Sequence, residues 1–225
     1  MKDHFKYFVT FCFHRSLYMI DVMRGYCDGK CDSCGKCKNS TIIKPVDKDK
    51  IDFFEEYLIN HQFRVAEVCL KAADFLGLSR EKTNLLVQCA LLHDVGKFFI
   101  PEELLMKKGP LTEEEYEDVK KHVELGVFYL EQKHFNEELV KIIKHHHERF
   151  DGAGYPDGLS GDRIPYLSRI LAVCDAFDAM TCGRHYKKPV NKETAIRELL
   201  MSSGSQFDPE IADAFISQFV KKEVV

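Results

Sequence analysis

The amino-acid sequence predicts an all-α protein. Three observations carry that prediction. From residue 51 onward apolar residues recur at three- and four-residue intervals, strict alternation over a strand length is missing, and cap and stop residues cut the chain into helix-sized pieces. Phe54, Leu58, His61, Val65, Val68 and Ala72 form one stripe, and Gly77 ends that helix. A second helix begins near Ser79 and carries Leu85, Cys89, Leu92 and His93 on one side. Pro101, Gly109 and Pro110 mark a connecting loop, after which Thr112 and Glu115 make a capping box for a helix running to residue 132. Its expected inner face is Tyr116, Val119, Val123 and Val127, flanked by His122. Asn136 caps a shorter helix with the stripe Leu139, Ile142, Ile143, His146 and His147, from which His145 projects away. The stretch 151–161 holds too much Gly and Pro for regular helix. Pro165 opens the next helix, bearing Leu171, Cys174, Asp175 and Asp178, and two amphipathic helices follow, with a break at Gly204 and a restart at Pro209.

Residues 1–50 read as a separate Cys-rich segment, joined to a helical domain of residues 51–225 where polar residues, Pro45 and alternating charges replace hydrophobic runs and cysteines. A segment that short cannot close a conventional core and needs a metal or a partner surface. Cys27, Cys31, Cys34 and Cys37 stand at metal-ligand spacing with Gly25, Gly29 and Gly35 between them. A structural zinc site, an iron–sulfur centre and metal-free reactive thiols are the three readings of that cluster. Cys69, Cys89 and Cys174 lie on apolar stripes and read as packing residues.

A single histidine on an apolar stripe is most often a hydrogen-bonded core or surface residue. Here His61, His93, His122, His146 and His147 recur on or beside the apolar faces of separate helices, and Asp94 and Asp175 add carboxylates at similar positions. Burying so many titratable groups uncompensated is costly, whereas divalent metal satisfies them together. Mixed imidazole and carboxylate donors suit Fe, Mn or Zn better than Ca or Mg, and Asp94 is the natural bridging carboxylate. Lys97, at i+4 from His93, adds an ammonium to that face.

The segments LLHDVGKFFIP, HHERFDGAGYPDGL and RILAVCDAFDAM resemble the HD-GYP family, a branch of the HD metal-dependent phosphohydrolases, and the resemblance runs from His61 to GSQFDPE at 204–210. It implies a helical HD-type bundle, a two- or three-metal centre, and hydrolysis of cyclic di-GMP to pGpG and in some members on to GMP. It makes His61, His93, Asp94, His122, His146, His147 and Asp175 the metal ligands and assigns Asp94 and Lys97 to catalysis, with Lys97 on the scissile phosphate. It places Gly154, Tyr155 and Pro156 near substrate and sets Arg184 and Lys187 around the nucleotide phosphates. Members with three metals usually carry a glutamate one turn before the first ligand histidine, and this chain has Tyr57 there. Two ions, Fe or Mn, are therefore expected. Two-metal hydrolysis needs no side-chain nucleophile.

Charge narrows the partners. Thirty-two basic against 36 acidic residues give a net charge of -4, so no basic field recruits a nucleic-acid polymer. An odd count of nine cysteines and no signal-peptide pattern favour a reducing cytoplasm. The aromatic run 5–23 is broken by Lys6, His14, Arg15 and Asp21, so no membrane span is expected. The alternatives are a phosphodiesterase for another cyclic or linear dinucleotide, and a non-catalytic module that meets a signalling protein partner through the Gly-Tyr-Pro loop.

Overall fold

The computed structural model describes residues 53–182 and 189–221. Helix α1 spans Phe53–Phe75 and closes where the Leu78 N–H donates to the Ala73 carbonyl around Gly77. Helix α2, Arg80–Leu92, starts on Ser79, whose hydroxyl accepts the Lys82 N–H. A 3-10 turn, Val95–Phe99, follows it directly. The expected 101–110 loop contains a short helix, α3, Glu102–Leu105.

The single helix expected up to residue 132 is two. Thr112 and Glu115 form both halves of the capping box, and α4 runs Glu113–Lys120; α5 then runs His122–Gln132. At the join the Lys121 N–H bonds the Asp118 carbonyl at three-residue spacing, and the His122 ring donates to the Val119 carbonyl at 2.7 Å. A side-chain donor intruding on the ladder is an ordinary cause of a helix break. The break re-phases the inner face: His122, Val123, Gly126 and Leu130 are buried, while Tyr116 is 47% exposed.

Helix α6, Glu137–Lys144, is capped by the Asn136 carboxamide and ends before the histidine pair. Helix α7 covers Tyr166–Thr181, α8 covers Lys192–Met201 and α9 covers Pro209–Lys221. Among the described residues the chain forms no strand, only an isolated bridge between Ser203 and Phe207.

Tyr57–Val225 is one unit, with a boundary after Glu56. In it α2 packs on α6 and α7, α5 packs on α6 and on the 3-10 turn, and α8 and α9 cover α7. Val65, Cys69, Leu86, Cys89, Leu130, Ile143, Ile170 and Cys174 are fully buried between these helices. Burial of side chains of this size contributes about 1.5–3 kcal/mol each for the larger aliphatics.

Candidate metal centre

The His93-Asp94 and His146-His147 pairs close their helices. His93 is the C-cap of α2, with Asp94 just past it at φ -100° and ψ 11°. His145 is the C-cap of α6, and His146 and His147 follow in a tight turn that brings their rings to 3.9 Å. The earlier expectation of both pairs lying along helices is corrected by these ends. The C-terminal ends of α2 and α6 therefore lie beside the cluster, a position that favours a cation.

Close backbone approach joins the two halves of the cluster. A Cβ added at Gly96 would lie 1.8 Å from the His122 carbonyl oxygen and 2.7 Å from the Gly126 nitrogen. Only glycine lets the turn after Asp94 rest on α5, and that contact sets Asp94 beside His122.

Three of the buried rings have their tautomers fixed. His93, His122 and His146 donate from Nδ1 to the carbonyls of Ala90, Val119 and Ile143 at 2.8, 2.7 and 2.6 Å. The Nε2 lone pairs are thereby left to face the centre. His93 Nε2, His122 Nε2, His146 Nε2, Asp94 Oδ1 and Asp175 Oδ1 are buried without a hydrogen-bond partner. Buried orphan acceptors in one place are the signature of an ion-binding site, so the donors present fit divalent metal.

Two donor groups emerge, Asp94 with His122, His146 and His147, and Asp94 with His61 and His93; the donor atoms of each group lie within 4.8 Å of one another. Asp94 belongs to both. Asp175 Oδ1 joins the second group, 3.0 Å from His61 Nε2 and 3.8 Å from His93 Nε2. All seven predicted side chains thus converge. Lys97 reaches in from the 3-10 turn, its Nζ 2.5 Å from Asp94 Oδ2.

Burial, helped by the Lys97 charge, pushes His122 down to about 4, and burial beside His93 pushes His146 down to about 3. Burial also lowers His147. These imidazoles are neutral at pH 7, the state that ligates metal. Burial works against the charge of Asp94, but Lys97 and His93 hold its carboxyl well below the usual range. His61 is the exception: burial acts to lower it, and the neighbouring carboxylates of Asp175 and Asp178, the latter hydrogen-bonded to its Nδ1, carry it up to about 9.

Two residues acting here, Asp178 and Glu148, had no role legible in the sequence, while His145 projects away from the centre as expected. Asp178 accepts His61 Nδ1–H at 2.7 Å and both Nε and a terminal nitrogen of Arg64 at 2.9 and 3.1 Å. Glu148, 4% exposed, accepts the N–H groups of Asp157 and Leu159 and so anchors the loop after the histidines. His145 is buried and turns from the centre to Asp157 Oδ2 at 3.0 Å. The available signal was helical spacing, since Asp178 stands one turn after Asp175. Asp178→Asn is expected to lower metal affinity about 10–100-fold, as loss of an outer-shell carboxylate does, measured by chelator competition. Unchanged affinity would remove Asp178 from the site.

The Gly-Tyr-Pro loop lies against the histidines. A Cβ at Gly154 would fall 2.3 Å from the Arg149 nitrogen and 2.6 Å from the His147 oxygen, so the loop backbone rests on the histidine turn. Tyr155 places its ring 5.0 Å from that of His147, and a cis bond links it to Pro156. Backbone bonds from Phe150 and Asp151 to Gln206 and Ser205 tie in the 204–210 segment. Tyr57 is half-buried one turn before His61. Arg184, Lys187 and the cluster Cys27, Cys31, Cys34 and Cys37 lie outside the described residues.

The HD domain family model matches residues 46–211. The chain is 41% identical over 155 residues to the cyclic di-GMP phosphodiesterase response regulator RpfG of Xanthomonas campestris, covering 68% of this chain and 41% of RpfG. It is 37% identical to 3'3'-cGAMP-specific phosphodiesterase 2 of Vibrio cholerae, with 71% and 31% covered, and 39% identical to a cyclic di-GMP phosphodiesterase of Thermotoga maritima, with 73% and 45% covered. The chain thus spans less than half the length of each of these curated relatives. In fold it is similar to Bd1817, a HDG"Y"P protein from Bdellovibrio bacteriovorus, with a TM-score of 0.62 at 24% identity over 75% of this chain and 54% of that one. No helix among the described residues is long and apolar enough to cross a membrane. A family match over most of the chain, together with a His-Asp pair closing α2 and a Gly-Tyr-Pro loop resting on the histidine turn, establishes that this chain belongs to the HD domain family, in its HD-GYP branch.

Proposed function

We propose that the chain is a metal-dependent phosphodiesterase that hydrolyses cyclic di-GMP to pGpG. The observation that carries the proposal is the pair of donor groups sharing Asp94. Such an arrangement suits two ions, and imidazole-rich donors favour Fe or Mn. Divalent ions held there supply Lewis-acid activation of the phosphodiester and of a water nucleophile.

The chain's own residues do the rest. His61, His93 and Asp175 with Asp94 would hold one ion, and His122, His146 and His147 with Asp94 would hold the other. Lys97, at the partly open edge of the cluster, neutralises charge on the scissile phosphate. Tyr155, tilted against His147 and carried by the loop with Gly154 and Pro156, borders the substrate, and Arg184 and Lys187 take its phosphates. Further hydrolysis to GMP uses the same groups. A separate zinc or iron–sulfur site on Cys27, Cys31, Cys34 and Cys37 and a cytoplasmic location complete the reading.

The relative named for 3'3'-cGAMP gives a second reading, cyclic GMP-AMP as substrate. Anaerobically purified, metal-analysed protein should contain two ions at the HD centre and turn over cyclic di-GMP fastest in a panel of cyclic dinucleotides. Preference for cyclic GMP-AMP would support the second reading. Metal-loaded protein inert toward every dinucleotide would refute both.

A further inference from the structure

The rim beside His147 carries a row of groups that metal binding does not use. It starts at the Tyr155 ring, tilted 32° against His147. Lys120 Nζ follows, 5.3 Å from the Tyr155 ring centroid and 4.7 Å from that of Tyr116. Tyr116 and Lys120 stand one turn apart on α4, two residues before His122 enters the donor group. The row therefore runs outward from a metal-binding face to solvent, ending on a Tyr116 ring that is 47% exposed. Glu117 pairs with Lys120 at 2.6 Å, but its side chain is 65% exposed. Such pairs contribute little and yield readily to a better partner.

A cyclic dinucleotide has two phosphates and two bases, and only one phosphate can occupy the bimetal centre at a time. The second phosphate and a base must be met at the rim. We propose that Tyr116 and Lys120 form a substrate-specificity subsite, in which Tyr116 stacks a purine and Lys120 meets the non-scissile phosphate. This rests on the cyclic-dinucleotide reading above. Lys120 over the two tyrosine rings also fixes their spacing by cation–π attraction.

The test compares kcat/KM for cyclic di-GMP with that for methyl p-nitrophenyl phosphate, a diester with no nucleobase. In metal-loaded full-length protein, Tyr116→Ala should lower the ratio about tenfold, within the range found for loss of one base–aromatic stack. Tyr116→Phe, which keeps the ring, should restore it. Lys120→Gln should lower the ratio several-fold and flatten its salt dependence. An unchanged ratio in Tyr116→Ala, or equal losses on both substrates, would overturn the subsite alone. A wild-type protein that cleaves the simple diester and no cyclic dinucleotide would overturn the substrate assignment and the subsite with it.

Discussion

Asp94→Ala is expected to abolish phosphodiester hydrolysis and to empty the metal centre. Asp94 is the one side chain common to both donor groups among the described residues. Its Oδ1 lies 3.5 Å from His122 Nε2, and its Oδ2 lies 3.4 Å from His93 Nε2 and 3.7 Å from His61 Nε2. Truncation removes an anionic donor from each group and leaves the Lys97 ammonium, partly buried, facing a cluster without its counter-charge. A rate loss of about a thousandfold or more, ~4 kcal/mol of transition-state stabilisation, should accompany loss of metal. Metal analysis and single-turnover assays read the two effects separately, and circular dichroism checks that the helices persist. Near-normal metal content in a folded variant would refute the bridging role.

Gly96→Ala should be the most disruptive of the conservative substitutions. The new methyl would sit 1.8 Å from the His122 carbonyl oxygen and 2.7 Å from the Gly126 nitrogen, both backbone atoms that cannot swing aside as a long side chain can. The 3-10 turn and α5 must separate, at a cost of about 3 kcal/mol, the upper part of the usual range for overpacking. For a domain of this size that lowers Tm by about 6–12 °C. Separation also draws Asp94 from His122, so metal affinity should fall with stability. Gly109→Ala is the informative comparison, because a Cβ there meets nothing within 4 Å although its φ of 134° is strained. A Gly96→Ala protein with unchanged Tm and metal affinity would show that the contact is not needed.

Much of this architecture could be read from short-range signals. Ser79, Thr112 with Glu115, and Asn136 start helices because each offers an oxygen to unpaired backbone N–H groups, and the structure has all three bonds. The seven clustered side chains were legible because titratable groups recurred on otherwise apolar faces. The break at Lys121 was not legible, since it depends on the His122 ring competing for a backbone carbonyl, which spacing does not disclose. Tyr116 was consequently assigned to the wrong face. The roles of Asp178 and Glu148 were not legible for a related reason. An acidic residue on a helix or beside a loop is usually solvated, and only the folded chain puts His61 and Arg64, or the N–H groups of Asp157 and Leu159, against these two carboxylates.

Placing the histidine pairs at helix ends constrains how such a domain can change length. One residue inserted within α2 or α6 would turn the residues that follow by about 100° and carry them about 1.5 Å along the axis. His93 and Asp94, or His146 and His147, would then miss a cluster whose donors converge within 4.8 Å. The segment 106–112, between α3 and α4, is remote from that count and can absorb additions more cheaply. Sequence drift by insertion and deletion should therefore concentrate in such connections, while α2 and α6 keep their register against their terminal histidines.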